Sequence, residues 1–421
     1  MTIDVAAGRL REILESTIAR QLVADVPVGV FLSGGLDSTA ITALTACAAD
    51  DPPKCFTISF RAADSILEQS SDDAGFARLA ADCYGAELRE IEVSPKIVDL
   101  LPKVVMHQDE PIADPAAIAT YLICKAARDD VTVLLNGQGA DEVFAGYRVH
   151  GMPFVAERLR GLPPAARTHV AERLVAALPG ASAHVPGVSP GFVLAVHRYL
   201  DKMLSGVDLP LEERYVGYRS YYRDDELRSL YTPDVREALR DGVAGSEHLD
   251  YFAEVPDADP LNRILYVDWK TFLPELNLAY CDKMSMAASI ETRVPYLDNE
   301  VVDFMLTVPP ELKLHGLTSK YVLREAVKDI VPRSILKRRK AAFGAPIRTW
   351  LRRDLLEMVD DLLSSERIRR RGFFEPAAIR RLIEDDRAGR VDNTYRIWAL
   401  LTLEIWQQTF MDSSPLARSA V

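Results

Sequence analysis

Along the first third of the chain, short apolar runs alternate with stretches whose apolar residues recur at helical spacing. From Arg9 to Leu22 the apolar positions Leu10, Ile13, Leu14, Ile18 and Leu22 share one face, which predicts an amphipathic first helix. Val28 to Leu32 is a short apolar run that reads as a buried strand. It stops at Ser33-Gly34-Gly35, and Asp37-Ser38-Thr39-Ala40-Ile41 then opens a helical pattern. Cys55 to Phe60 predicts a second strand. A polar loop from Arg61 to Asp73 leads to a helix through Phe76 to Tyr84, and Glu87 to Val93 alternates like a third strand. Val131 to Leu135 is the fourth, ending at Asn136-Gly137-Gln138-Gly139-Ala140-Asp141-Glu142. Strands alternating with helices predict an α/β fold with a doubly wound parallel sheet. Ligands of such sheets collect beyond the carboxyl ends of the strands, where the Ser33 and Gly137 loops would both lie.

Beyond Arg148 the pattern changes. As far as Leu261 the chain is rich in helix formers broken by Leu-Pro and Pro-Gly turns, and it carries no catalytic signature. The remainder to Phe410 is also mainly helical, giving an extensive helical C-terminal half. The chain 1–421 thus reads as one ligand-binding unit with three parts. Residues 1–147 form an α/β core, 148–261 a helical insertion serving as padding or a lid, and 262–410 a helical part that completes the site. No internal repeat or long linker is evident, and the last eight or so residues are expected to fray.

Composition narrows the setting. The net charge of −12 argues against a nucleic acid surface, because phosphate contacts need a basic face. Five scattered cysteines, none in a C-x-x-C, fit free thiols in a reducing cytoplasm. Met1-Thr2-Ile3-Asp4 does not read as a signal peptide, and no apolar run approaches membrane-spanning length. The expectation is a soluble cytoplasmic protein with neither a nucleic acid nor a membrane partner.

The chemistry begins at Ser33-Gly34-Gly35-Leu36-Asp37-Ser38. Two glycines at a strand-to-helix turn let the backbone bend tightly and aim several N–H groups at one point. The helix that follows adds the positive end of its dipole, so the turn suits an anion. Serine hydroxyls can bond phosphate oxygens, and an aspartate beside phosphates implies Mg²⁺ between the two like charges. A bare Gly-Gly would be an ordinary turn. The full stretch after a buried strand resembles the pyrophosphate loop (PP-loop) of the N-type ATP pyrophosphatases, which split ATP into AMP and pyrophosphate. No Gly-Lys dipeptide occurs in the chain, so the other common phosphate cradle, the Walker A loop, is absent. The lack of a cysteine pair also counts against the thiolating relatives of this loop.

Four further stretches widen the resemblance to a family. They are Asp109-Glu110-Pro111-Ile112-Ala113-Asp114-Pro115; Gly137 to Glu142 with Gly146-Tyr147; Asp282 to Ala287 running on through Glu291-Thr292-Arg293-Val294-Pro295-Tyr296-Leu297-Asp298; and Ser319-Lys320-Tyr321-Val322-Leu323-Arg324 with Arg339-Lys340-Ala341-Ala342-Phe343-Gly344-Ala345-Pro346. In this order they resemble the synthetase domain of glutamine-dependent asparagine synthetases over essentially the whole chain. The resemblance implies activation of a carboxylate by ATP as an acyl-adenylate, followed by displacement of AMP by an amine. It makes Asp37 and Asp141 the Mg²⁺-holding carboxylates and places Ser33, Gly34, Gly35 and Ser38 around the departing pyrophosphate. Backbone groups near Leu32, Ile58 and Gly137 would hold adenosine, with Glu142 also in the nucleotide site. Lys320 and Lys340 would lie near the phosphates, and Lys340 would stabilise charge developing in both steps. In isolation Asp141 would pass for a helix cap, and Lys337-Arg338-Arg339-Lys340 for a solvated basic face. Glu291 and Arg293 read as a structural ion pair behind the site.

Two departures limit what the resemblance carries. The family's two-domain members begin with a glutaminase whose nucleophile is a cysteine directly after the initiator Met. Here Thr2 follows Met1, so the expectation is that nitrogen does not come from glutamine by that route. The usual Gly-Glu-Gly is also replaced by Gly137-Gln138-Gly139. In asparagine synthetases that glutamate lies beside the reacting acyl group, and related lactam synthetases place a tyrosine there. An amide cannot take a proton from an attacking amine, though it can orient one by hydrogen bonds, so Gln138 joins Lys320 and Lys340 as a catalytic candidate. The expected partners are a small carboxylate and an amine, with a separate glutaminase or a carrier protein as further options. A true asparagine synthetase supplied with ammonia and a non-catalytic ATP-binding module are the alternatives.

Overall fold

The computed structural model describes residues 1–61, 73–93, 96–163, 204, 206–240, 242, 245–338 and 345–412. Five strands, β1 (Val28–Phe31), β2 (Lys54–Phe60), β3 (Glu87–Val93), β4 (Val133–Leu135) and β5 (Glu291–Arg293), form one parallel sheet in the order β3-β2-β1-β4-β5. The chain winds outward from β1 through β2 to β3, then returns to place β4 on the other side of β1. That reversal leaves a crevice between the loops that follow β1 and β4.

Alternation along the strands builds the layers. Val30, Leu32 and Cys55 point into one core with Leu10, Leu14 and Ile18 of helix α1 (Ile3–Gln21) and Ile41 and Leu44 of α2 (Leu36–Ala48). Phe31, Phe56 and Ile58 point the other way, onto Ala119, Ile123 and Ala127 of the helix Ala116–Ala127. Helix α1 starts six residues before the predicted Arg9, because Ala6 and Ala7 are small enough to continue its buried face. The fourth strand is shorter than expected, Val133–Leu135, and the polar loop predicted from Arg61 to Asp73 lies mostly outside the described residues.

The strand β5 was not anticipated. Its three residues pair with Val133 to Leu135 of β4, and Glu291 joins Arg293 at 2.7 Å. Arg293 also donates to the Gln21 and Val23 carbonyls at the end of α1, at 2.6 and 2.9 Å. The expected ion pair behind the site is therefore the sheet's edge strand.

The described part of the insertion is helical, as in Arg148–Arg160, Leu211–Arg219 and Ser246–Glu254. It joins the core through a buried polar hub. Asp268, on the helix Pro260–Lys270, accepts from Tyr215 at 2.6 Å, pairs with His150 Nε2 at 2.8 Å, and also bonds Arg219. A π-helical segment, Phe272–Leu278, follows directly, and the helix Ala279–Ala287 continues it. Among the described residues no helix is long and apolar enough to cross a membrane.

Candidate active site

The loops after β1 and β4 open onto one cavity of about 570 Å³. Leu32, Ser33, Gly35, Asp37 and Ser38 form its wall on the β1 side, and Ile58 enters from β2. Gly137, Gln138 and Asp141 line it from the β4 loop, and Lys320 closes it between the two. Gly34 and Glu142, both assigned to the nucleotide site above, are not among the lining residues.

Local geometry explains the first loop. Gly34 has φ +66°, and a Cβ there would stand 2.5 Å from the Ala77 nitrogen, so the turn needs glycine for both its twist and its closeness to a helix. The Ser33 N–H donates to Ser38 Oγ at 3.2 Å, and the two hydroxyls lie 3.1 Å apart. Arg338 fixes the loop from behind, donating to the Gly34 carbonyl at 2.7 Å, pairing with Asp73, and lying over the Phe76 ring. In the basic run from Lys337 to Lys340, Arg338 is therefore no solvated residue. Lys340 lies outside the described residues.

The Lys320 ammonium sits 2.6 Å from Asp37 Oδ2 and 2.9 Å from Asp141 Oδ1, bridging the two loops. Burial alone would push its pKa down, but Asp141 and Asp37 outweigh that and hold it above the ordinary lysine value. Gly146 makes this contact possible, since a Cβ there would lie 2.0 Å from both Asp141 Oδ1 and Lys320 Cε. Asp37 Oδ1 is buried and has no hydrogen-bond partner. An orphaned carboxylate oxygen beside a second aspartate suits a hard divalent cation. Two carboxylates plus phosphate oxygens are a common Mg²⁺ donor set, so Asp37 and Asp141 fit such an ion.

Gln138 is held by partners that the sequence did not point to. Its Nε2 donates to the Tyr280 hydroxyl at 2.9 Å and to the Asn277 carbonyl at 3.4 Å. Behind it, Glu142 accepts from Tyr147 at 2.7 Å and from Asn277 Nδ2 at 2.6 Å. Burial first, and the Asp141 charge second, push Glu142 up to about 7. Glu142 is thus buried behind Asp141 with one oxygen taken by Tyr147 and Asn277, and it does not line the cavity. Asn277 and Tyr280 follow each other across the junction of the π-helical and α-helical segments, where no local spacing marks them. A π-turn in a helix is itself a frequent companion of functional sites.

The family model described as asparagine synthase matches residues 9–408. Asparagine synthetase [glutamine-hydrolyzing] 1 of Bacillus subtilis is 33% identical over 409 residues, covering 96% of this chain and 59% of the relative. A putative asparagine synthetase [glutamine-hydrolyzing] of Mycobacterium tuberculosis H37Rv is 33% identical over 408 residues, with 96% and 57% covered. Amidase chyE of Penicillium rubens is 25% identical over 409 residues, with 90% and 58% covered. The chain spans less than three fifths of the length of these relatives. It belongs to the asparagine synthase family.

Proposed function

We propose that this chain is an ATP- and Mg²⁺-dependent ligase that forms carbon–nitrogen bonds and releases AMP and pyrophosphate. The supporting observation is the meeting of Ser33, Ser38, Asp37, Asp141 and Lys320 at one cavity on the sheet's switch point. A carboxylate oxygen attacks the α-phosphorus of ATP, forming the acyl–phosphate bond and breaking the α–β bridge. An amine nitrogen then attacks the acyl carbon, AMP leaves, and the nitrogen gives up a proton. The loop N–H groups and the Ser33 and Ser38 hydroxyls bind the departing pyrophosphate, and Lys320 holds positive charge at the same end. Mg²⁺ held by Asp37 and Asp141 would neutralise the triphosphate so that an anionic nucleophile can approach.

Gln138 favours an acid and amine pair other than aspartate and ammonia, which fits biosynthesis of a specialised metabolite. The second reading is asparagine synthesis with ammonia delivered separately; turnover of aspartate with ammonium would favour it. Retention of Asp37, Asp141 and Lys320 counts against a non-catalytic ATP-binding module.

The test is ATP-dependent pyrophosphate release across a panel of carboxylic acids, with and without amines. Asp37→Asn and Asp141→Asn are expected to keep the fold, as circular dichroism would report, and to lose release by about a hundredfold or more. A folded variant with near-normal release overturns the assignment.

A further inference from the structure

The cavity's charges are unevenly committed. Its cations among the described residues are Lys320, Arg324 and Arg338. Lys320 serves Asp37 and Asp141, while Arg338 serves Asp73 and the phosphate-loop carbonyls. Arg324 donates to the carbonyls of Ser319 and Leu336. Four aspartates line the same space: Asp37, Asp73, Asp141 and Asp114. Three have a cation beside them, and Asp114 has none among the described residues.

Asp114 stands before the helix Ala116–Ala127, which packs against the helix Ala279–Ala287 that carries Tyr280, and Asp114, Gln138 and Tyr280 all line the cavity. Its Oδ1 accepts the Ala116 N–H at 2.8 Å, an ordinary cap that uses one oxygen and leaves the other without a donor among the described residues. Its charge acts on the phenols of both Tyr280 and Tyr221, after burial the next influence on each. Burial also raises the carboxyl itself. A carboxylate held partly away from water at a cavity wall without a cation is costly, and a cationic ligand group relieves that cost.

We propose that Asp114 is the recognition point for a positively charged amino group on the carboxylic acid that the enzyme activates. The inference rests on the ligase reading above and names its substrate class: an amino-substituted acid, in preference to a simple or a dicarboxylic one. The bound ammonium belongs to the acid because the attacking amine must arrive uncharged, with its lone pair free. A second carboxylate on the substrate would meet Asp114 with like charge and no uncommitted cation among the described residues.

Three probe acids of one length separate the possibilities: 4-aminobutyrate, pentanoate and glutarate end in an ammonium, a methyl and a carboxylate. With ATP and Mg²⁺, pyrophosphate release without any amine is expected to favour 4-aminobutyrate over pentanoate by about tenfold or more in kcat/KM, with glutarate lowest. Asp114→Asn keeps the Ala116 cap through its amide oxygen. It should erase that preference by raising KM for 4-aminobutyrate, with kcat little changed. Equal or better release with pentanoate or glutarate overturns the subsite and leaves the ligase reading standing. So does an Asp114→Asn variant whose release is unchanged while amine-dependent turnover falls, since Asp114 would then act on the nucleophile. A protein that releases no pyrophosphate from ATP with any carboxylic acid fails at the ligase reading itself.

Discussion

Two of the clusters that hold carboxylates against cations in this molecule are finished to different degrees. At the hub between insertion and core, both oxygens of Asp268 are taken, one by Tyr215 and the other by His150 and Arg219. Burial would push Asp268 up, but Arg219 and His150 outweigh it and hold the carboxyl below its usual range. At the cavity, Lys320 bridges Asp37 and Asp141, yet Asp37 Oδ1 is buried with no partner. A satisfied carboxylate fixes elements to one another, whereas an unsatisfied one facing a cavity costs free energy until a ligand arrives. The first cluster therefore serves stability and the second serves binding.

The largest effect expected from this contrast is at the hub. Asp268→Asn strands Arg219 in a largely enclosed site, its side chain 14% exposed and its guanidinium 4.0 Å from the Phe272 ring. Losing the charge partner should cost about 3 kcal/mol or more in urea unfolding, while Asp37→Asn should cost activity instead. Near-wild-type stability of Asp268→Asn would erase the distinction. Glu142 lies between the two cases, with two side-chain donors but no cation beside it among the described residues, and it tests the contrast through pH. Its carboxyl is pushed from the ordinary 4.5 up to about 7, so between these values the native state binds more protons than the unfolded chain. Stability then falls as pH rises through that window, by roughly 3 kcal/mol in all. Glu142→Gln is neutral throughout and its carbonyl still accepts from Tyr147 and Asn277, so its unfolding free energy at pH 5 and pH 7.5 should lack this decline. Parallel profiles for the two proteins would show that the buried charge carries no such cost.

The strands β1 to β4 were legible because each is flanked by helical spacing: β1, β2 and β4 are short apolar runs buried on both faces, and β3, at the sheet's edge, alternates apolar with exposed polar positions. The loop from Ser33 to Ser38 was legible because its glycines and serines lie within six consecutive positions. The rest depended on contacts across long separations. Gln138 meets Tyr280 and Asn277, about 140 positions away, through a π-helical turn whose residues have no period of their own. Asp268 sits on an amphipathic helix, and nothing local says that His150, Tyr215 and Arg219 converge on it. Arg338, inside a run of basic residues, looked solvated until Ser33 and Gly34 turned their carbonyls toward it. Asp114 was legible only as part of a motif, and that no cation stands beside it among the described residues emerges only from the fold.

The smallest effects are expected on β5, where the same contrast can be drawn within one strand. Glu291 and Arg293 lie two residues apart on one face, and neither lines the cavity. The Glu291 side chain is 57% exposed, and an ion pair so open to water is worth a few tenths of a kcal/mol. Arg293 does more, because it donates to two carbonyls at the C-terminal end of α1, where a positive charge also meets the negative end of the helix. Glu291→Ala should therefore shift unfolding by about 0.5 kcal/mol or less, and Arg293→Ala by about 1–2 kcal/mol. Pyrophosphate release should survive both changes. What β5 contributes to the site is its backbone: the Arg293 carbonyl accepts the Asn136 N–H at 2.8 Å and so fixes the start of the Gly137 loop, whatever the side chain. Loss of release in a folded Glu291→Ala protein would move this strand's side chains from the supporting frame into the site itself.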